Sequence, residues 1–231
     1  MIPKLIIHIR RSLICTFLLF LSHFLHAQCL KEFKYAIGGA GTDAAYSVAD
    51  GGNGTFFVTG TSSGNGVGDD IVVTKMTTEG AVLWSKTYGG RSDETIRKSS
   101  KTSDGGIVLT GSTNSFGNTA GDILCMKIDK DGNAVWTRKF GLGSVYGDLG
   151  MDIIETGDGG YALTGIINKT GFFADMVVIK LDAAANIQWT KRFDRGDGED
   201  GVGIVEIGNS LVVSSDLQNS GAEYELSLIH I

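Results

Sequence analysis

The densest grouping of oxygen ligands in the chain is Asp129-Lys130-Asp131-Gly132-Asn133. Its Asp-x-Asp-Gly-Asn spacing is that of an oxygen-rich cation loop, so Asp129, Asp131 and Asn133 are the candidate calcium ligands. A complete helix-loop-helix calcium loop would carry a bidentate Glu at its twelfth position, where Phe140 stands. The equivalent turns, Thr77 to Ala81 and Asp182 to Asn186, lack the paired carboxylates, and the first expectation for all three is a hairpin turn. A second acidic run, Asp197-Gly198-Glu199-Asp200, is expected to be a solvated loop. Nucleophilic hydrolysis of the Ser-His-Asp or Cys-His kind needs histidine. Three of the four, His8, His23 and His26, lie in the first 27 residues and the fourth is His230. Paired carboxylates for glycoside hydrolysis cannot be singled out among so many acids on turns. No catalytic residue, cofactor-binding residue or cofactor is assigned.

Whatever chemistry the chain has must be positioned by a repeat, since a period of 20 to 50 residues decides the fold. Trp84, Trp136 and Trp189 are 52 and 53 apart. The same spacings separate Lys75, Lys127 and Lys180, Asp70, Asp122 and Asp175, and the aromatics Tyr88, Phe140 and Phe193. Gly60, Gly111 and Gly165 follow at 51 and 54. Alternation and β-branched content predict four strands per period. In the second copy they run approximately from Thr95 to Thr102, Gly106 to Ser112, Asp122 to Ile128 and Ala134 to Phe140. Asp104-Gly105, Asn53-Gly54 and Asp158-Gly159 are read as type I′ hairpin turns, which need positive φ at both central residues. Asp131-Gly132 and Glu79-Gly80 play the same part between the third and fourth strands. Cys125 falls where the other copies have Val73 and Val178, the place of a small buried hydrophobe.

The fold class is therefore all-β, with consecutive four-stranded antiparallel blades of an incomplete β-propeller. On each fourth strand Trp84, Lys86 and Tyr88, or Trp136, Arg138 and Phe140, or Trp189, Lys191 and Phe193, alternate onto one face. That face is expected to bury its tryptophan against the neighbouring blade. The Asp-Gly spacing upstream of Trp136 differs from the Asp-box hairpin of sialidase-like propellers in the offset of its glycine.

With these motifs in view, the chain resembles bacterial β-propeller repeat families whose copies carry an Asp-Gly-Gly turn, a Gly-Asp before the third strand and a Gly-x-x-x-Trp approach to the fourth. The residues are Asp104-Gly105-Gly106, Gly121-Asp122 and Gly132 to Trp136, and the resemblance covers about residues 33 to 215. The first copy departs with Asn53-Gly54-Thr55, and the third lacks the glycine before Asn186. The resemblance implies a large exported protein, with adhesion-like modules or a C-terminal sorting domain in some members. It implies no activity.

Lys4, Arg10 and Arg11, the apolar stretch Leu13 to Leu25 and then Ala27-Gln28 have the order of a secretory signal, with cleavage expected after Ala27. The stretch is shorter than the ~20 residues that span a bilayer, and no transmembrane segment is expected after cleavage. Removing three positive charges and no carboxylate takes the formal charge from −6 to −9, which disfavours nucleic acid as a partner. Glycine, at 34 of 231 residues, is about twice its usual ~7%, as many tight turns require. The organisation read from the sequence is 1–27 signal peptide, 28–42 fourth strand of a ring-closing blade, 43–90 blade repeat 1, 91–142 blade repeat 2, 143–195 blade repeat 3 and 196–225 partial blade repeat 4. Residues 226–231 are expected to be an adapter-derived tail, since they resemble a translated transposon end, the alternative being a genuine apolar strand. Two functions are carried forward for a secreted or cell-surface protein. One is a noncatalytic scaffold or binding module for carbohydrate, protein or the cell envelope. The alternative is the propeller domain of a larger secreted hydrolase acting on polysaccharide or peptide.

Overall fold

Short β-branched runs punctuated by glycine turns fold here into strands, and the described residues contain no helix. The computed structural model describes residues 41–64, 68–115, 121–141, 147–168, 174–194, 198–218 and 224–230, with backbone only for 168, 198–201, 216–218 and 224–230. The expected signal peptide, Cys29 and most of the expected ring-closing strand lie outside them. Blade 1 consists of β1 (Asp43–Gly52), β2 (Thr55–Ser62), β3 (Asp70–Thr77) and β4 (Val82–Tyr88). Blade 2 consists of β5 (Glu94–Lys101), β6 (Ile107–Thr113), β7 (Asp122–Ile128) and β8 (Ala134–Phe140), each within a residue or so of its predicted span. Blade 3 follows with β9 (Leu149–Glu155), β10 (Tyr161–Asn168), β11 (Ala174–Leu181) and β12 (Ile187–Phe193). Blade 4 has β13 (Gly198–Ile207), β14 (Ser210–Gln218) and β15 (Tyr224–His230). Each sheet is a simple antiparallel meander in chain order. Residues 226 to 230, expected to stand apart from the repeat, pair with β14 as part of β15.

The first strands lie side by side, β1 against β5, β5 against β9 and β9 against β13, and each also packs on the second strand of the preceding blade. This radial stacking of meanders is the propeller arrangement. Apolar residues between the blades form three cores. Phe57, Ile71 and Val73 of blade 1 meet Ile96, Ile107 and Leu109 of blade 2. Cys125 and Val108 meet Leu163 and Val177 in the next, and Met176 and Val178 meet Ile204 and Val213 in the last. Val73, Cys125 and Val178 are each fully buried. Burial pushes the Cys125 thiol up to about 12, so it packs as a hydrophobe.

Each first strand carries an unpaired extra residue, Tyr46, Arg97, Met151 or Val202, and β1 carries a second, Gly51, beside its hairpin. The repeat glycines are explained by these β-bulges. A Cβ on Gly60 would lie 2.0 Å from the carbonyl oxygen of Ala44, on Gly111 2.0 Å from that of Thr95, and on Gly165 2.6 Å from that of Leu149.

The hairpins differ in part from expectation. Asn53-Gly54 has positive φ at both residues and is the type I′ turn predicted. At the other turns only the glycine, Gly80, Gly105, Gly132 or Gly159, is in the left-handed region. Asp104 and Asp158 each accept an N–H two residues on, from Gly106 and Gly160, and hold the loop as a five-residue turn instead. In the third copy Ala185 takes the left-handed position at φ 60 with no glycine at all.

Candidate functional site

Turns joining first to second and third to fourth strands gather at one end of the blades, and the repeat lysines reach that end from each third strand. Lys127 is 6% exposed and its Nζ lies 2.9 Å from the Asp104 carboxylate and 3.0 Å from Thr102 Oγ1. Lys180 repeats this at 2.8 Å from Asp158. A buried ammonium needs such a partner. Burial pushes the Asp104 carboxyl up, but hydrogen bonds from Lys127 and Thr102 prevail and bring it to about 2. Lys180 and Thr156 donate to Asp158 and drive its carboxyl below the usual carboxylate range.

Blade 1 keeps the lysine and loses the acid. Gly51 and Asn53 stand where blade 2 has Thr102 and Asp104. Lys75 is 9% exposed; it donates to the carbonyl of Lys130 at 3.2 Å and lies 4.8 Å from the centre of the Phe57 ring. Among the described residues it has no carboxylate partner. Lys75 lines a cavity of about 600 Å³ between blades 1 and 2, shared with Asn53, Trp84, Ser103, Asp104 and Lys130. A second cavity of about 710 Å³ occupies the matching position between blades 3 and 4, lined by Asp158, Lys180, Trp189, Lys191, Glu206 and Leu211. Between blades 2 and 3 the corresponding space receives Tyr161, which packs edge-on against Trp136 at 5.0 Å where the neighbouring blades have Ile107 and Leu211.

The proposed cation loop is a docking turn. Asp129 Oδ1 accepts the N–H groups of Asp131 and Asn133 at 2.9 and 2.7 Å, its Oδ2 accepts from Asn133 Nδ2, and Asp131 is held by Lys130 at 2.7 Å. Asp182 and Asn186 repeat this network. The carbonyls of the first turn face blade 1: Trp84 Nε1 and Lys75 donate to Lys130, Lys86 to Asp131 and Gly132, and Tyr88 Oη to Gly132. Arg138 docks likewise on Ala184. No group of three or more His, Cys, Asp or Glu side chains is gathered as a metal site among the described residues.

The tryptophans are half-buried rather than enclosed, with Lys86 over Trp84 at 5.7 Å and Lys191 over Trp189 at 5.6 Å. Tyr88 and Phe140 lie on the same faces as Trp84 and Trp136, and Phe193 packs against the third core. At the opposite end of the blades the repeat aspartates open each third strand. Asp122 pairs with Lys139 at 2.8 Å and Asp175 with Arg192. Asp70 has Thr87 in that place, and burial together with Glu94 and Asp69 raises its carboxyl.

Sequence reasoning missed the links between blades. Glu155 binds the N–H of Ser103 at 2.6 Å, Glu206 binds that of Gly157 at 2.7 Å, and Lys101 meets Asp50 at 3.1 Å. These four, Asp50, Lys101, Glu155 and Glu206, recur at 51, 54 and 51. The glycine period carried that signal, but the changing charge hid it. Ser47 and Asp152 likewise accept from the backbone of Ser99 and Ile204 in the following blade.

The sequence matches no protein-family model and no curated protein. Among solved structures the chain is similar to a subtype N10 neuraminidase-like protein of A/little yellow-shouldered bat/Guatemala/060/2010, at 13% identity over 80% of this chain and 59% of that one, with a TM-score of 0.49. It is similar to an ACO/RPE65 chimera at 11% identity over 82% of this chain and 51% of the other, TM-score 0.47. A cobalt-substituted Synechocystis ACO gives 10%, 82%, 50% and 0.44 in the same terms. The chain thus spans between half and three-fifths of these proteins.

Proposed function

We propose that the chain is an exported, noncatalytic β-propeller scaffold that binds its ligand in the inter-blade grooves at the end where the hairpin turns gather. The observation that carries this is the recurrence of a tryptophan- and lysine-lined cavity between blades 1 and 2 and again between blades 3 and 4. Both volumes are of the size that small-molecule sites use, ~300–1,000 Å³. Most of the charged groups around them are engaged within the protein, Asp104 by Lys127, Lys130 by Asp131, Asp158 by Lys180 and Glu206 by the N–H of Gly157. That leaves the grooves as the place for recognition. The signal-like first 27 residues support export.

The test is retention of the full chain on a panel of insoluble polysaccharides and peptidoglycan, with reducing ends assayed in the same tubes. Retention without new reducing ends is expected. Released reducing ends would assign the chain to a hydrolase instead, and no retention on any surface would remove the carbohydrate and envelope readings.

A further inference from the structure

A lysine that has lost its internal carboxylate, kept nine-tenths buried at the wall of a cavity, marks a place for a carboxylate from outside. We propose that the groove between blades 1 and 2 binds an acidic sugar, with Lys75 as the counter-ion of its carboxylate and Trp84 as a wall for its ring. This rests on the binding-scaffold reading and names the ligand class for one of its grooves.

Four observations converge. Blades 2 and 3 satisfy the same lysine internally, through Asp104 at 2.9 Å and Asp158 at 2.8 Å. Blade 1 replaces both turn residues that hold Lys127, so that Gly51 and Asn53 stand for Thr102 and Asp104, and Lys75 is left with one carbonyl, that of Lys130, and the face of Phe57. An ammonium has three donors, and burying its charge without a counter-charge is costly. The other charges at the cavity are already matched, Lys130 by Asp131 and Asp104 by Lys127. Lys75 therefore sets the sign of what the groove accepts, even though the chain as a whole is acidic, since exposed charges beyond ~8 Å are largely screened at physiological ionic strength. The remaining lining suits a hydroxylated body of one or two sugar rings: the Asn53 amide and the Ser103 hydroxyl offer donors and acceptors, and Trp84 offers apolar surface.

The experiment is calorimetric titration of the full chain with glucuronate, glucose and acetate. Two variants are compared: Lys75→Gln, and a fourfold change, Gly51→Thr with Gly52→Ser, Asn53→Asp and Thr55→Gly, which gives blade 1 the complete Thr-Ser-Asp-Gly-Gly turn sequence of blade 2. Glucuronate is expected to bind at least tenfold more tightly than glucose or acetate. Lys75→Gln is expected to lose at least tenfold. The fourfold variant is expected to lose binding while folding as stably as the wild type, because Lys75 gains its internal partner; it carries the test if Lys75→Gln fails to fold. Glucose binding as well as glucuronate, acetate binding as tightly as glucuronate, or wild-type affinity in either variant overturns the proposal. A chain retained on a neutral polysaccharide with Lys75→Gln behaving as wild type would leave the scaffold reading standing and remove only the acidic-sugar site.

Discussion

Asp152 in blade 3 accepts the backbone N–H of Ile204 in blade 4 at 3.1 Å, across 52 residues of sequence. Burial raises its carboxyl above the usual range, against the lowering effect of hydrogen bonds from Ile204 and Ile153. A carboxyl raised in the folded state contributes stability below its unfolded value, and that contribution is lost as pH rises through the folded value. Asp152→Asn keeps an acceptor and removes the charge, so its melting temperature at pH 7 should equal or exceed that of the wild type. Asp152→Ala leaves a buried N–H bare and should cost about 1–3 kcal/mol. Equal losses in both variants, measured by denaturant titration, would sink the account.

Asp104 gives the opposite pH dependence. Its carboxyl is lowered to about 2, so the stability it contributes is present above the unfolded value of ~3.9 and disappears as pH falls toward 2. Asp104→Asn should flatten the melting temperature between pH 4 and 2 relative to wild type, and lower it at pH 7 because Lys127 stays buried. An unchanged acid limb would show that the pair contributes nothing.

Gly111→Ala places a methyl 2.0 Å from the Thr95 carbonyl oxygen, backbone that cannot step aside without opening the bulge. The expected cost is about 3 kcal/mol, the upper part of the overpacking range. Gly159→Ala meets nothing within 4 Å and serves as the control, losing only what its left-handed φ of 77° demands, about 1–2 kcal/mol. If the two lose equally, close approach is not the reason for the repeat glycine.

Calcium should leave the protein unmoved. Both Asp129 oxygens are already used by the turn, and Asp131 is held by Lys130. Adding millimolar calcium or a chelator is expected to shift the melting temperature by less than a degree, whereas Asp129→Ala should cost about 1–2 kcal/mol through its lost turn bonds. A calcium-dependent shift that Asp129→Ala abolishes would restore the cation reading.

Trp136→Ala should cost about 2–3 kcal/mol, less than full enclosure of the ring would imply, because Trp136 is half-buried against Tyr161. A loss under 1 kcal/mol in a folding titration would mean that the ring contributes little to blade packing.

The strands were legible because alternation and glycine punctuation act locally: the predicted third and fourth strands of blade 2, Asp122 to Ile128 and Ala134 to Phe140, are the observed ones. The turn chemistry was legible only in part. Asp104 and Asn53 read alike as residues before glycine, yet the Asp104 side chain caps its own loop while Asn53 enters the left-handed region. The groove was not legible. The spacing of Lys75, Lys127 and Lys180 marks them as equivalent, but only the fold shows that Lys127 and Lys180 have a carboxylate within 3 Å while Lys75 has none among the described residues.

Among the described residues, the substantial contacts join strands of one blade or of adjacent blades. Bonds such as Ser99 to Ser47, Ser103 to Glu155 and Ile204 to Asp152 each close a loop of 52 residues and no more. Ordering one blade thus lowers the entropic barrier for the next, so assembly can spread along the chain like a zipper from whichever blade nucleates first. Damage to one blade should accordingly fray its immediate neighbours before it reaches distant ones.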